Sequence, residues 1–513
     1  MFVHYRTSLT VIALCAAAGF LSCNSVKKAM NETGYANEKH RPQIHFTPKT
    51  GWMNDPNGMV YHNGTYHLMY QHNPDSTVWG PMHWGHATSK DLILWEHRPI
   101  ALYPDSLGTI FSGSAVVDLA NTSGFGKDGK PPLAAIFTHH DHAGEKAGSS
   151  AYQNQSIAYS VDEGKTWTKY SGNPVVKNPG IKDFRDPKVS WHQPSKKWIM
   201  TLATLDRITF YSSPNIKDWT KESEFGKDVG AHGGVWECPD LFPLDVDGKT
   251  VWVLLVSINP GGPNGGSATQ YFTGDFDGKT FTPFQTDTRW IDYGPDNYAG
   301  VTWYNTGNRK LFMGWMSNWQ YANLVPTQRW RSAMTLPREL SLEKVGERYF
   351  LRSAPLRELE HIAEKTIMVN GIDATNYNLT QQTKFAPVPA KISFQSESIN
   401  DFTIVFTNQG GQELTVGYKK NTNQYFIDRR NAGDAAFSKE FAARHTAPRI
   451  ATGNAMDLTL VIDNASLELF ADKGLSVMTA IFFPDAVLSE VRFKSTKGFR
   501  IKNLELTSLI SMY

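Results

Sequence analysis

From about residue 44 the chain reads as short strands broken by turns, and this pattern constrains the fold more than any other feature. Gly51-Trp52, Asn63-Gly64, Asp128-Gly129, Asp247-Gly248 and Asp277-Gly278 mark turns. Between the turns lie apolar or alternating runs such as Tyr66-His67-Leu68-Met69-Tyr70, Leu133-Ala134-Ala135-Ile136-Phe137 and Val251-Trp252-Val253-Leu254-Leu255-Val256. Long amphipathic helical patterns are missing, so the predicted fold is all-β. A weak repeat runs through the first part of the chain. Ser89-Lys90-Asp91, Ser160-Val161-Asp162 and Ser212-Ser213-Pro214 are each followed by a tryptophan (Trp95, Trp167, Trp219), and Gly274-Asp275-Phe276-Asp277-Gly278 is followed by Phe281. A spacing of roughly 50 to 70 residues matches one four-stranded propeller blade with long loops, so these motifs read as scaffold.

At 513 residues, two domains are expected. Near residue 355 the texture changes. Pro355-Leu356-Arg357-Glu358-Leu359-Glu360 reads as a short helical linker. Beyond it, Phe402-Thr403-Ile404-Val405-Phe406, Leu458-Thr459-Leu460-Val461-Ile462 and Leu467-Glu468-Leu469-Phe470 alternate as in a β-sandwich. The expected boundaries are a signal over 1–22, a flexible tether over 23–40, a propeller over 41–355, a linker over 356–368 and a sandwich over 369–513. The sandwich is expected mainly to stabilise the propeller, with Phe470, Phe482 and Phe483 in a core or interface.

The N-terminus is a targeting segment: Arg6 precedes a short apolar run at 11–21 that ends in Phe20-Leu21-Ser22-Cys23. This resembles a bacterial lipoprotein signal, with Cys23 as the lipidated residue, ordinary signal cleavage being the alternative. Cys15 and Cys23 fall in this segment, so Cys238 alone remains in the body and supports neither a disulfide framework nor a cysteine-based metal site. A net charge of +2 gives no field to draw a nucleic acid. The 15 Trp, 20 Tyr and 28 Phe suit a sugar site and a β-rich core equally well.

Three acidic motifs stand out. In Trp52-Met53-Asn54-Asp55-Pro56-Asn57-Gly58 a tight turn holds Asp55 at the end of a strand. In Phe184-Arg185-Asp186-Pro187 the proline again fixes the backbone, and the arginine offers a fork of donors to a hydroxyl. In Trp236-Glu237-Cys238-Pro239-Asp240 a glutamate sits in an apolar stretch, the setting of a general acid. His139, His140 and His142 cluster in His-His-Asp-His and read as a loop, with no metal site or cofactor expected.

Together with Tyr70-Gln71-His72-Asn73-Pro74, Trp84-Gly85-His86-Ala87, Phe111-Ser112-Gly113-Ser114 and Gly314-Trp315-Met316, these motifs make residues 40–513 resemble glycoside hydrolase family 32, the invertases, inulinases and levanases. The resemblance implies a five-bladed β-propeller followed by a C-terminal β-sandwich, with the active site in the propeller's axial funnel. By position it implies Asp55 as nucleophile, Glu237 as acid/base and Asp186 as transition-state stabiliser. Asn54, Gln71, Trp79, Phe111, Ser112, Arg185 and Trp315 match positions lining a terminal-fructose pocket, and Asp296 a loop approaching it. Such an enzyme retains configuration through a covalent intermediate, which requires carboxyl groups about 5–5.5 Å apart. The implied partner is a fructan or a sucrose-type saccharide, with a membrane met only through the lipid anchor. Trp79-Gly80-Pro81-Met82-His83-Trp84 and the stretch from Trp315 to Leu340 favour exo-hydrolysis of levan or inulin over endo-levanase or invertase action. A glycan-binding lipoprotein without catalysis is the alternative from another class.

Overall fold

The computed structural model describes residues 34–513, so the signal, most of the tether and Cys23 lie outside the described residues. Residues 51–355 form five sheets that follow one another along the chain, antiparallel throughout except where Trp330–Arg331 returns to pair parallel with the start of the first sheet. The innermost strands are Gly51–His62, Thr109–Val117, Phe184–His192, Val235–Val246 and Tyr298–Thr302, defining blades 1 to 5. Each packs on the next, and the fifth returns to the first, which closes a five-bladed propeller. Hydrogen bonds join every neighbouring pair. Asn57 accepts from Gly113 N (blades 1–2), and Ser114 bridges Pro187 O and Val189 N (2–3). Asp186 accepts from Cys238 N (3–4), and Asp240 accepts from Thr302 N (4–5). Tyr304 N and Tyr61 N close the ring with Met59 O and Tyr304 O. Closure leaves no inner strand edge open to another chain.

The turn-and-aromatic repeat occupies one place in blades 1 to 4, the turn between the third and fourth strands. There Ser89, Ser160, Ser213 and Asp277 accept backbone N–H groups of the turn. These bonds satisfy donors that a tight turn would otherwise leave unpaired. Apolar clusters fill the spaces between blades, for example Trp236, Leu254, Phe272 and Phe281 between blades 3 and 4.

Residues 363–509 form two six-stranded antiparallel sheets packed face to face around a single apolar core, a β-sandwich. The linker is shorter than the expected 356–368. A 3-10 helix covers Arg357–Ile362, and the first sandwich strand, Ala363–Asp373, starts directly after it. The end of the expected tether is also ordered. Arg41 is buried, donating to Thr47 and Pro48 O and pairing with Glu38, while His40 packs on Phe483.

Buried charge joins the two domains. Arg338 of the propeller reaches Glu468 of the sandwich at 2.5 Å and Asp292 at 3.0 Å. His45 bridges Asp463 and Glu468, and these two carboxylates raise it to about 9 against the cost of burial. Phe470 packs in an interface cluster with Ile44, Leu336 and Ile362, and Phe483 in another with Met316 and Tyr321. Phe482 lies in the sandwich core.

Candidate active site

The inner strands depart from regular pairing at one level of the propeller. Register slips occur between Asn54 and Pro56, Ile110 and Gly113, Arg185 and Lys188, Glu237 and Asp240, and Tyr298 and Val301. Each slip places one extra residue in the inner strand, which is a β-bulge. Asp186, Cys238 and Ala299 adopt positive φ (65°, 45° and 53°), a conformation that L-residues rarely hold without surrounding support. Gly113 is required at its bulge, because an added Cβ would lie 2.1 Å from Ile136 O. The ring of bulges breaks strand alternation and turns Asp55, Ser112, Asp186 and Glu237 towards one axial pocket.

That pocket, of about 230 Å³, is lined by Asn54, Asp55, Gln71, Trp79, Phe111, Ser112, Arg185, Asp186 and Glu237, all expected from the sequence. Asp55 accepts from Ser112 Oγ at 2.7 Å and from Asn54 Nδ2 at 2.9 Å. Asn54 in turn accepts from Trp52 Nε1 at 2.7 Å. Glu237 Oε1 accepts from Arg185 through Nε (3.1 Å) and Nη2 (2.8 Å), and the Tyr298 hydroxyl donates to Oε2. Arg185 is completed by Asp183 at 2.6 Å. Asp186 accepts from Cys238 N at 3.1 Å, and the Cys238 thiol lies 3.5 Å from Asp55 and 3.6 Å from Asp186.

Burial and like charge set the protonation of this cluster. Burial raises Asp55, and the Glu237 charge adds to it, while Ser112 and Asn54 pull it back. Burial, with the Glu237 and Asp55 charges, raises Asp186 to about 7 against the opposing Arg185. Burial followed by the neighbouring carboxylates lifts Cys238 and Tyr298 well above their ordinary values, so both stay protonated and can donate. The site thus holds three carboxylates, one guanidinium and several neutral donors in one concavity, the equipment for acid–base and nucleophilic chemistry at a sugar.

Two expected pocket residues lie elsewhere. Asp296 is fully buried and lines no part of the pocket; it accepts from Arg429 Nη1 (2.6 Å), Tyr321 OH (2.6 Å) and Ile481 N (2.9 Å). Its loop approaches the pocket, but its carboxylate is consumed by the sandwich. Trp315 is also fully buried, packed between Trp52 and Trp319 one layer behind the wall, where Trp319 presents itself instead. Sequence reasoning missed Trp319, Tyr152, Gln153 and Asp183 in the wall and Tyr298 on Glu237. Asp183 stands four residues before Pro187, directly ahead of the Phe184-Arg185-Asp186-Pro187 motif, and was the one with a local signal. Among the described residues, His140, His142 and Glu145 form the group spaced to hold a metal ion.

A closed propeller of bulged inner strands, with paired carboxylates in its funnel and a sandwich behind, is the architecture of a carbohydrate-cleaving hydrolase. The chain matches the glycosyl hydrolases family 32 N-terminal domain over residues 45–355 and the family's C-terminal domain over 356–508. It belongs to glycoside hydrolase family 32. It is 47% identical to the levanase of Bacillus subtilis over 492 residues, covering 93% of this chain and 72% of that protein. It is 41% identical to the extracellular exo-inulinase of Aspergillus awamori over 504 residues, covering 90% and 93%. The crystal structure of exo-inulinase from Aspergillus awamori superposes with a TM-score of 0.85 at 37% identity, covering 94% of this chain and all of that one. The β-fructofuranosidase of Schwanniomyces occidentalis, solved with fructosyl-erythritol, gives 0.84 at 32%, covering 93% and 99%.

Proposed function

We propose that the protein is a retaining β-fructosidase that removes terminal fructose from fructans of the levan or inulin type, and from sucrose, by double displacement. The observation that carries this reading is the convergence of Asp55, Asp186 and Glu237 from three inner strands on one pocket. Asp55 attacks the anomeric carbon while Glu237 gives a proton to the departing oxygen. Asp55 is oriented for attack by Ser112 and Asn54, and Asp186 accepts hydroxyls of the fructosyl ring as oxocarbenium character develops. Water, deprotonated by Glu237, then releases fructose with its configuration kept.

Relatives named levanase and exo-inulinase support a fructan substrate, and the word extracellular in the latter supports export. On this reading Cys23 carries a lipid anchor, tested by incorporation of labelled fatty acid and its loss in Cys23→Ser. A time course of products from levan, inulin and sucrose tests the function. Fructose alone from the first time point is expected. Fructo-oligomers appearing first would mean endo-action, and binding without any release of sugar would mean a non-catalytic module.

A further inference from the structure

The pocket wall on blade 2 carries a group that the chemistry above does not use. Residues 141–152 connect the second and third strands of that blade and include the short helix His142–Lys146, anchored where Asp141 accepts from Ala143 N. His140, His142 and Glu145 stand here with ligand atoms within 4.8 Å of one another, a spacing that would admit a metal ion. The hydrogen bonds around His140 argue for another use. Gln153 Oε1 accepts the Phe184 backbone N–H at 2.8 Å, which leaves Gln153 Nε2 facing His140 Nδ1 at 3.1 Å. An amide nitrogen only donates, so Nδ1 accepts and the ring proton resides on Nε2. Nε2 lies 3.0 Å from Glu145 Oε2 and donates to it, so it has no lone pair to offer a cation. Burial, with the neighbouring His142 and Arg185 charges, lowers His140 to about 3 and keeps the ring neutral. Phe111 stacks on that ring at 4.2 Å and 11°, fixing its plane.

The result is a carboxylate aimed from behind and open in front. The Glu145 side chain is 46% exposed and Trp79 39% exposed, and both line the mouth of the pocket, whereas Asp186 on the floor is buried. A terminal fructose seated on the three catalytic carboxylates places the departing sugar at this mouth. We infer that Glu145 is a specificity-determining residue, whose carboxylate, held by the Gln153–His140 pair, accepts hydroxyls of the departing sugar. This rests on the β-fructosidase reading and adds to it a recognition site for the leaving group.

The test compares wild type, Glu145→Gln, Glu145→Ala and His140→Ala on sucrose, a fructo-oligosaccharide and p-nitrophenyl β-fructofuranoside, whose leaving group carries no sugar hydroxyls. Glu145→Ala is expected to lower kcat/KM on the two saccharides by about 10- to 100-fold, the worth of hydrogen bonds to a charged group. In the Glu145 variants the aryl substrate and inhibition by free fructose are expected to change by no more than about twofold, Glu145→Gln giving the same selectivity more weakly; His140→Ala, which also unstacks Phe111, is read only for its fall on the saccharides. A parallel fall on the aryl substrate, unchanged saccharide kinetics, or zinc binding to wild type that is lost in His142→Ala would overturn the assignment. A wild-type protein that cleaves no fructoside would instead remove the underlying function, which is a distinguishable failure.

Discussion

Asp296 decides whether an acidic residue near the funnel serves substrate or structure. Replacing it with alanine leaves the fully buried Arg429 guanidinium with only neutral acceptors: Phe441 O, Ile481 O and the Tyr321 hydroxyl. Removing one partner of a buried pair costs about 3–5 kcal/mol. For domains of this size that corresponds to a fall in Tm on the order of 5–15 °C. Burial holds Asp296 above the usual carboxylate range even with Arg429 beside it, so the pair only partly offsets its own desolvation. A double replacement, Asp296→Leu with Arg429→Met, should therefore recover most of the loss, a coupling that a double-mutant cycle reads directly. Differential scanning fluorimetry supplies the Tm values, and initial rates at a temperature where every variant is folded supply KM. The expected pattern is a lowered Tm, unchanged KM and rescue in the double variant. A raised KM in Asp296→Ala with Tm intact would refute the reasoning and return Asp296 to the substrate.

Further outcomes follow from the same geometry. Glu237→Gln should lower kcat on sucrose by a factor on the order of 10² to 10⁴, measured as fructose release. Ser112→Ala removes a donor that favours ionised Asp55, so Asp55 protonates at higher pH and the acid limb of kcat/KM should move upward; a fixed limb would contradict the bond's role. Asp186 is raised from 3.8 to about 7, so the native state keeps a proton that the unfolded chain loses across that window, and stability from this site falls as pH rises through it. Asp186→Asn should therefore gain stability over wild type on the order of 1–3 kcal/mol above pH 7 and little near pH 4, by urea denaturation at each pH. Deleting residues 364–513 strips Arg338 of Glu468 and bares the apolar face around Leu336, so the propeller alone should be insoluble; a soluble, fully active fragment would contradict the sandwich's stabilising part.

Much of the site was legible because its chemistry is written locally. Asp55 and Asp186 each directly precede a proline and Glu237 stands two residues before Pro239, all at bulges, so a short motif carries both the acid and the backbone that aims it. Trp315 misled because Trp319, four residues on, takes the wall in its place, and Asp296 because its partners are remote in sequence: it meets Arg429 and Ile481 only after the sandwich folds back. Tyr298 was missed because its strand reads as one continuous apolar run, and only the bulge turns the hydroxyl to Glu237. The linker was set too long because Ala363–Asp373 is a largely exposed strand, so its side chains show little apolar alternation to announce it. Glu38 and His40 read as part of a polar tether because their partners, Arg41 and the remote Phe483, are not announced by any local pattern.

The stereochemistry of the first product tests the double displacement most directly. Proton NMR of sucrose or levan hydrolysis, read before the released sugar equilibrates, should show β-fructofuranose appearing first. First appearance of the α-anomer would mean a single displacement by water, with Asp55 unable to serve as the covalent nucleophile.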